Sequence, residues 1–339
     1  MAGCLVAAAL IAWFLRVQLA ARSFDWKLFA GSVSGLRWSW LLLALLPAAG
    51  TYYGRALRWA VFLKPLKPRP SISNLMTATL IGFTALTLFG RAGDFVRPYL
   101  ISVKEKVPLT SQLASWVLER IFDLLMATLV LGFGLTRLQA SGIPLGPGLA
   151  WVLHFGGQLV GGSCLAVLIM ILSMRHFAEP VRRRLIAALR FLPEARYRKF
   201  EALITAFFQG VESTRSDGAL LLVLAYSILE WGLIAACYWC LAQAFVGIID
   251  LTLVDILIFM GFVSFGGVIQ IPGIGGGTQV SAVFILTELF GIRLELATLF
   301  ALLVWILTFV AVVPVGLGLA LKEGLDWHSL RRIGREVSK

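Results

Sequence analysis

The segment from Gly90 to Pro98 reads GRAGDFVRP and interrupts an apolar stretch that runs from residue 71 to residue 104. A second apolar stretch, residues 253–291, is interrupted by SFGGVIQIPGIGGGTQ at residues 264–279. Glycine and proline interrupt regular helices, since glycine is conformationally free and proline lacks a backbone N–H donor. Neither stretch is therefore expected to form one continuous helix, and the positions of its two ends decide the fold.

The composition is that of an integral membrane protein. Of the 339 residues, 59% are hydrophobic and 14% are charged, and the mean hydropathy is +0.87. Soluble domains carry roughly 25% charged residues, so we expect the bilayer to solvate most of this chain. The formal net charge of +12 indicates basic cytoplasmic loops, and it argues against a nucleic-acid partner because we see no basic soluble domain to bind one.

The cysteine and histidine positions predict neither a metal site nor a cofactor. Cys237 and Cys240 form a CxxC pair inside a predicted span, without a second pair. We interpret both as small apolar side chains rather than as metal or redox ligands. The three histidines, at positions 154, 176 and 328, do not cluster with other ligands.

Six segments are long and apolar enough to span a bilayer, which takes about 20 residues. They are residues 2–20, 38–63, 109–135, 150–174, 218–247 and 295–321. Lysine and arginine concentrate after the second, fourth and sixth segments and before the third. The positive-inside rule places those loops, and both chain termini, in the cytoplasm of a multi-pass protein of the cell membrane.

The two broken stretches then have both ends on one side of the membrane. Residues 70 and 105 fall on the cytoplasmic side, whereas residues 250 and 293 fall outside. Each stretch is too short for two full crossings once its break is removed, so we predict two re-entrant hairpins of opposite orientation. The order span, hairpin, span occurs twice, which predicts an all-α polytopic protein built as an inverted repeat, the architecture transporters use to form a site at the membrane midplane.

The whole chain, residues 1–339, is predicted to form a single membrane domain with two basic appendages. Residues 176–217 are interpreted as a cytoplasmic amphipathic connector whose basic face is attracted to anionic lipid headgroups. A regulatory or partner-binding role of this connector is the alternative. Residues 322–339 are predicted to form a basic cytoplasmic tail.

Ionisable residues inside the apolar segments are the main candidates for function. They are Arg91, Asp94, Arg97, Glu119, Arg120, Asp123 and, as an additional candidate, Glu230. Each costs about 2.5–3.5 kcal/mol at the centre of a membrane helix, so the unpaired set would cost on the order of 20 kcal/mol, more than the stability of a typical domain. These side chains must therefore face one another or a wet cavity.

Glu119 and Asp123 are four residues apart and share one helix face. The set of three arginines and four carboxylates leaves two interpretations open: a structural ion-pair network, or a network that binds a substrate headgroup. If an anionic headgroup engages Arg91 and Arg97, the carboxylates released from them must take up protons or another cation. The sequence thus predicts transport linked to protons or to a cation.

The second break carries amide and backbone groups instead of arginines. Its candidate binding residues are Gln270, Gly273, Gly275, Gly276, Thr278 and Gln279. A glycine run exposes N–H groups, and a helix that starts there would direct its N-terminus at the site, which favours anions. A flexible hinge or close helix packing is the alternative. The spacing does not match a nucleotide-binding GxxxxGK[ST] loop.

Three motifs together resemble the membrane region of the lysylphosphatidylglycerol synthase/flippase family. They are GRAGDFVRP, the ERIFD motif at residues 119–123 and IPGIGGG at residues 271–277. In that family, glutamate commonly stands at the position of Asp94 and often at that of Gln279. The resemblance covers essentially the whole chain, and no aminoacyl-transferring soluble domain accompanies it in this sequence. It implies lipid handling, by flipping a phospholipid or a polyprenyl-linked lipid.

The resulting prediction is a lipid translocator whose first hairpin holds a phosphate-bearing or anionic headgroup. Arg91 and Arg97 would bind the phosphate with help from Arg120. Two alternatives remain: a lipid-modifying transferase of the membrane, and a non-catalytic accessory subunit of a lipid or cell-envelope biosynthesis complex. We find no catalytic motif in the sequence, and we therefore predict that the protein is not an enzyme.

Overall fold

The fold comes from a computed structural model, which describes residues 24–140, 179–189, 193–211, 216–266, 270–271 and 275–325, with isolated positions between 158 and 191. These residues are almost entirely helical. The helices are α1 (Trp26–Ser34), α2 (Trp38–Leu63), α3 (Ile72–Phe89), α4 (Val96–Glu105), α5 (Leu109–Ala140), α6 (Glu194–Val211), α7 (Asp217–Ala244), α8 (Leu253–Gly266), α9 (Gly277–Glu288), α10 (Leu294–Trp305) and α11 (Val313–Lys322). A 3-10 segment (Gly90–Phe95), a π segment (Ile306–Val310) and strands β1 (Gln270–Ile271) and β2 (Gly275–Gly276) join them.

Helix α1 meets α2 at an angle of 81°. Asp25 caps α1, because its carboxylate accepts hydrogen bonds from the N–H groups of Lys27 and Leu28. Trp26 and Trp38, at the starts of the two helices, are exposed, as is typical of tryptophan at a membrane–water interface. The bend sets the short helix α1 nearly perpendicular to the long apolar helix α2.

The first broken stretch folds back on itself. Gly90, with φ of 66°, ends α3, and the 3-10 segment reverses the chain into α4. The two helices pack antiparallel: a Cβ added to Gly82 would lie 2.5 Å from the Cβ of Arg97, and one added to Gly93 would collide with the backbone of Ala85. Glycine at both positions therefore allows the close approach on which this hairpin depends.

The second broken stretch forms the same kind of hairpin. Helices α8 and α9 pack together, and Gly266 at the end of α8 lies against Ser281 and the carbonyl of Gly277. At the tip, β1 pairs with β2 in antiparallel register, Gln270 opposite Gly276. Between the helices, this two-residue ladder supplies backbone partners for part of the glycine-rich segment.

The two halves of the described chain repeat one packing scheme. Helix α2, before the first hairpin, packs along α7, before the second. Helix α5 packs on α8, where Gly261 lies against the backbone of Leu131, and α11 packs on α3, where Gly316 lies against Thr84. The last helix of each half thus packs on the first hairpin helix of the other half, and β1 contacts the 3-10 segment where the hairpin tips meet.

By length and composition, four helical segments of the described residues could cross a membrane: Ile72–Glu105, Leu109–Leu138, Asp217–Ala244 and Leu294–Lys322. The first of them is the stretch for which a re-entrant hairpin was predicted, taken as one segment. A fifth is added if α1 and α2 count as one bent span. This confirms a multi-pass helical membrane protein. The predicted spans 38–63, 109–135, 218–247 and 295–321 correspond to α2, α5, α7 and the α10–α11 pair. Predicted span 2–20 and most of 150–174 lie outside the described residues.

The connector between the halves is described in part. Helix α6 packs against α5, and the Ser111 hydroxyl donates to the Ala206 carbonyl at 2.5 Å. Residues 326–339, most of the predicted basic tail, lie outside the described residues.

Candidate functional site

A cavity of about 390 Å³ lies between the two halves. Its volume falls in the range of small-molecule sites, about 300–1,000 Å³. Residues from α2, α3, the 3-10 segment and α5 line it on one side, and residues from α7, α8, α9 and the π segment line it on the other. The charged residues in the lining are Arg55, Arg91, Asp94, Arg120 and Asp123.

The rest of the lining is mainly apolar or hydroxyl-bearing. Apolar and aromatic lining residues include Ala48, Phe83, Leu86, Leu124, Ala127, Trp231, Ile234 and Val263. Hydroxyl groups come from Thr51, Tyr52, Ser264, Thr278 and Thr308, among others. The cavity therefore offers both a charged surface and an apolar surface, which are the two properties of an amphiphilic ligand.

Arg58, a member of the charged cluster, has no exposed surface. Its Nη2 atom lies 2.9 Å from Glu119 Oε1, 2.8 Å from Asp123 Oδ1 and 3.2 Å from Glu230 Oε2. Its Nη1 donates to the Ser227 hydroxyl at 2.9 Å. One guanidinium thus joins carboxylates from α5 and α7 and stabilises the contact between the halves.

Glu119 and Asp123 lie on one face of α5, as the spacing predicts. Arg120 Nη2 contacts both carboxylates, at 3.2 Å from Glu119 Oε2 and 3.0 Å from Asp123 Oδ2. Glu119 is buried, whereas Asp123 lines the cavity. On the same face, Gln112 is also buried and accepts a hydrogen bond from Trp59 Nε1 at 3.0 Å. Of the two carboxylates, only that of Asp123 lines the cavity.

The structure places Arg97 behind the cavity wall, apart from the headgroup position predicted for it. Arg97 is 4% exposed and is absent from the cavity lining. Its guanidinium lies over the Trp59 ring, 4.1 Å from the centroid, and is ion-paired with Glu119. The reason is the tight α3–α4 contact, which turns this side chain inward towards α2 and α5. Arg97 therefore positions Glu119 and is not a lining group.

Arg91 and Asp94 lie on the 3-10 segment at the tip of the first hairpin, and both line the cavity. Their side chains form an ion pair of 3.4 Å. The side chain of Arg91 is 49% exposed, the largest exposed fraction among the lining arginines, which are Arg55, Arg91 and Arg120.

Arg55 lines the cavity from α2 and is held on three sides. It is ion-paired with Glu230, lies 3.8 Å from both Glu119 Oε1 and Asp123 Oδ2, and stacks over Phe83 with its Cζ 4.8 Å from the ring centroid. Glu230 is fully buried and contacts both Arg55 and Arg58. The additional candidate Glu230 is thus a member of the network that sits behind the lining.

Arg55 and Arg58 are the residues that the sequence-based prediction missed, and they change the sign of the charge. With them, the described cluster holds five arginines and four carboxylates, one positive charge in excess. The prediction of proton or cation linkage counted three arginines and rested on carboxylates that a headgroup would release from Arg91 and Arg97. The sequence did contain a signal for them, two arginines three residues apart inside the predicted span 38–63. Each costs as much to insert into a membrane as the ionisable residues that were chosen as candidates.

The second hairpin contributes fewer side chains than predicted. Thr278 lines the cavity from the first turn of α9 and is 9% exposed. The Gln279 side chain instead accepts the N–H of Gly276 at 2.7 Å, which caps the helix. Gly275 and Gln270 belong to the paired strands. Gly273 lies outside the described residues.

Comparison with known proteins gives a family and one distant relative. The model of the lysylphosphatidylglycerol synthase TM region matches residues 1–316. Glycosyltransferase AglD of Haloferax volcanii is 35% identical over 105 residues, which are 29% of this chain and 17% of that protein. The chain thus matches less than a fifth of that relative's length. No solved structure matches significantly. Since the family model covers nearly the whole chain, the protein belongs to the lysylphosphatidylglycerol synthase TM region family, as the three motifs predicted.

Proposed function

We propose that this protein translocates anionic lipids across the cell membrane, with the headgroup bound in the cavity between the two hairpins. The observation that carries the proposal is the lining itself. Arg55, Arg91 and Arg120 line the cavity together with Asp94 and Asp123, and its remaining walls are largely apolar. The charged cluster to which these five residues belong has one positive charge in excess. In a membrane interior, an uncompensated charge is costly, so an anion that neutralises it is bound favourably.

The buried members of the cluster give this site its shape. Arg58 and Arg97 hold Glu119, and Glu119 and Asp123 hold Arg120. Guanidinium groups fixed in this way need little reordering when they bind a phosphate, whose oxygens match their planar fork. With the headgroup phosphate at the charged wall, the acyl chains of the lipid would lie along the apolar wall and extend into the bilayer.

The membrane arrangement that we propose has six spans and two re-entrant hairpins that enter from opposite sides. Helices α8 and α9, with 14 and 12 residues, reach about 21 and 18 Å, and α4, with 10 residues, reaches about 15 Å. Helix α3, with 18 residues, reaches about 27 Å. The hydrocarbon core is about 30 Å thick, so α4, α8 and α9 are too short to cross it, whereas α3 nearly spans it. The proposal of two re-entrant hairpins rests mainly on the chain reversals at the two breaks. Both chain termini are then cytoplasmic, and each hairpin gives access from its own side.

The excess positive charge also refines the expected coupling of lipid transport to protons or cations. A headgroup with a single negative charge neutralises the cluster without uptake of a proton or cation. A doubly charged headgroup would require one accompanying proton or cation. The proposal therefore favours singly charged lipids, such as phosphodiesters, with coupling restricted to more highly charged substrates.

Reconstitution tests this proposal. Purified protein is placed in phosphatidylcholine vesicles that carry a trace of fluorescent phosphatidylglycerol or fluorescent phosphatidylcholine, and the inward or outward movement of each probe is followed by chemical quenching of the outer leaflet. Faster movement of phosphatidylglycerol than of phosphatidylcholine is expected. Equal rates for the two probes, or rates equal to those of protein-free vesicles, would count against the proposal.

The name of the Haloferax volcanii relative favours a second candidate, a membrane transferase that modifies a lipid. The same vesicles address it, since mass spectrometry of their lipids after incubation with nucleotide sugars would reveal a glycosylated product. A change in lipid mass without movement of the probe would favour the transferase. An accessory subunit would give neither a product nor movement.

A further inference from the structure

The N-terminus of α9 lies at the cavity and carries backbone donors for which the described residues provide no acceptor. Helices leave their first N–H groups without intrahelical acceptors. The Gly276 N–H is satisfied by Gln279, but within the described part of the chain no hydrogen bond accounts for the N–H groups of Gly277 or Thr278. The partial positive charge of this helix end favours an anion.

The side chain of Thr278 gives a second, independent indication. Thr278 is about nine-tenths buried and lines the cavity, and its hydroxyl makes no hydrogen bond with any described residue. Two other cavity hydroxyls have acceptors: that of Ser264 donates to Met260 O at 2.6 Å, and that of Tyr52 to Thr308 O at 2.7 Å. Within the described residues no acceptor competes for the Thr278 hydroxyl, so a ligand in the cavity can accept its hydrogen bond.

This donor group and Arg91 belong to different hairpins but to one cavity. Arg91 lies on the tip of the first hairpin, Thr278 lies near the tip of the second, and β1 contacts the 3-10 segment. A ligand within the cavity is therefore approached by guanidinium donors from one side and by hydroxyl and backbone donors from the other.

We propose that the first turn of α9, with the Thr278 hydroxyl, is a second anion-binding subsite, so that both hairpins hold one headgroup at once. This inference rests on the proposed function and specifies its substrate class. A phosphate has oxygens in a tetrahedral arrangement and can accept from opposing walls, whereas a carboxylate presents two oxygens in one plane. The cavity is thus a site for phosphate-bearing headgroups rather than for fatty-acid carboxylates.

The test uses Thr278→Val, which keeps the shape of the side chain and removes the hydroxyl, and Thr278→Ser, which restores it. A hydrogen bond to a charged group corresponds to about a 10- to 100-fold change in rate or affinity. In vesicles with fluorescent phosphatidylglycerol, we expect the valine variant to lose about that factor in initial rate and the serine variant to stay within about threefold of wild type.

Thr287→Val is the matched control on the same helix, because its hydroxyl bonds to Val283 O within α9 and it does not line the cavity. If the valine variant at 278 is poorly folded by size-exclusion chromatography, Thr278→Ala takes its place. A wild-type rate in the Thr278 variant overturns the subsite. If Arg120→Gln still slows movement about 10- to 100-fold in that experiment, the proposed function stands. If wild-type protein moves no phosphatidylglycerol, both fail together.

Discussion

Replacement of Arg58 by methionine is expected to lower the free energy of unfolding by about 3–5 kcal/mol, the cost of breaking a buried ion-pair network. Arg58 has no exposed surface, and its Nη2 lies within 3.2 Å of Glu119, Asp123 and Glu230. Methionine fills a similar volume but leaves carboxylates of α5 and α7 with fewer cations. The measurement is denaturation by SDS of the purified protein in mixed micelles, followed by circular dichroism.

Two further variants make this result specific. Arg69→Met removes an exposed basic residue between α2 and α3 and should leave the unfolding midpoint unchanged. Adding Glu230→Gln to the Arg58→Met protein removes one of the carboxylates that lost its partner, so we expect part of the stability to return. Equal midpoints for Arg58→Met and wild type would show that the network does not hold the two halves together.

The largest expected effect on activity belongs to Arg120. The change Arg120→Gln removes a lining guanidinium and also the excess positive charge of the cluster. We expect the initial rate of phosphatidylglycerol movement to fall about 10- to 100-fold, the factor that corresponds to losing a charged hydrogen bond. Stability should change little, because the side chain is 37% exposed and Glu119 and Asp123 keep their contacts with Arg58.

Arg137→Gln provides the control for this experiment. It makes the same substitution on the same helix, at an exposed position that is not part of the cavity lining. Arg120→Lys should give an intermediate rate, since an ammonium group keeps the charge but lacks the planar fork. If Arg120→Gln moves phosphatidylglycerol as fast as Arg137→Gln does, Arg120 does not bind the headgroup.

The hairpins were predictable because they follow from strong, local signals. The glycines at positions 82, 90 and 93 allow the close approach and chain reversal seen at the first break, whereas the side of the membrane from which each hairpin enters stays a prediction. The common face of Glu119 and Asp123 was equally predictable, since helical spacing alone determines it.

The composition of the charged cluster was harder to predict, for a physical reason. Arg55 and Arg58 lie within nine residues of the end of α2, and a long arginine side chain near a helix end can extend towards the interface instead of the interior. Whether it turns inward depends on carboxylates of α5 and α7, which are distant in sequence. The role of Arg97 likewise depends on its packing over Trp59.

The central claim, that the cavity binds anionic headgroups, is tested most directly by equilibrium binding. Isothermal titration of the detergent-purified protein with two soluble short-chain lipids, dihexanoylphosphatidylglycerol and dihexanoylphosphatidylcholine, compares ligands that differ in net headgroup charge. Wild-type protein is predicted to bind the anionic lipid at least about tenfold more tightly, a difference of about 1.4 kcal/mol, and Arg120→Gln is predicted to lose that preference. Equal affinity of the wild-type protein for both lipids would contradict the claim.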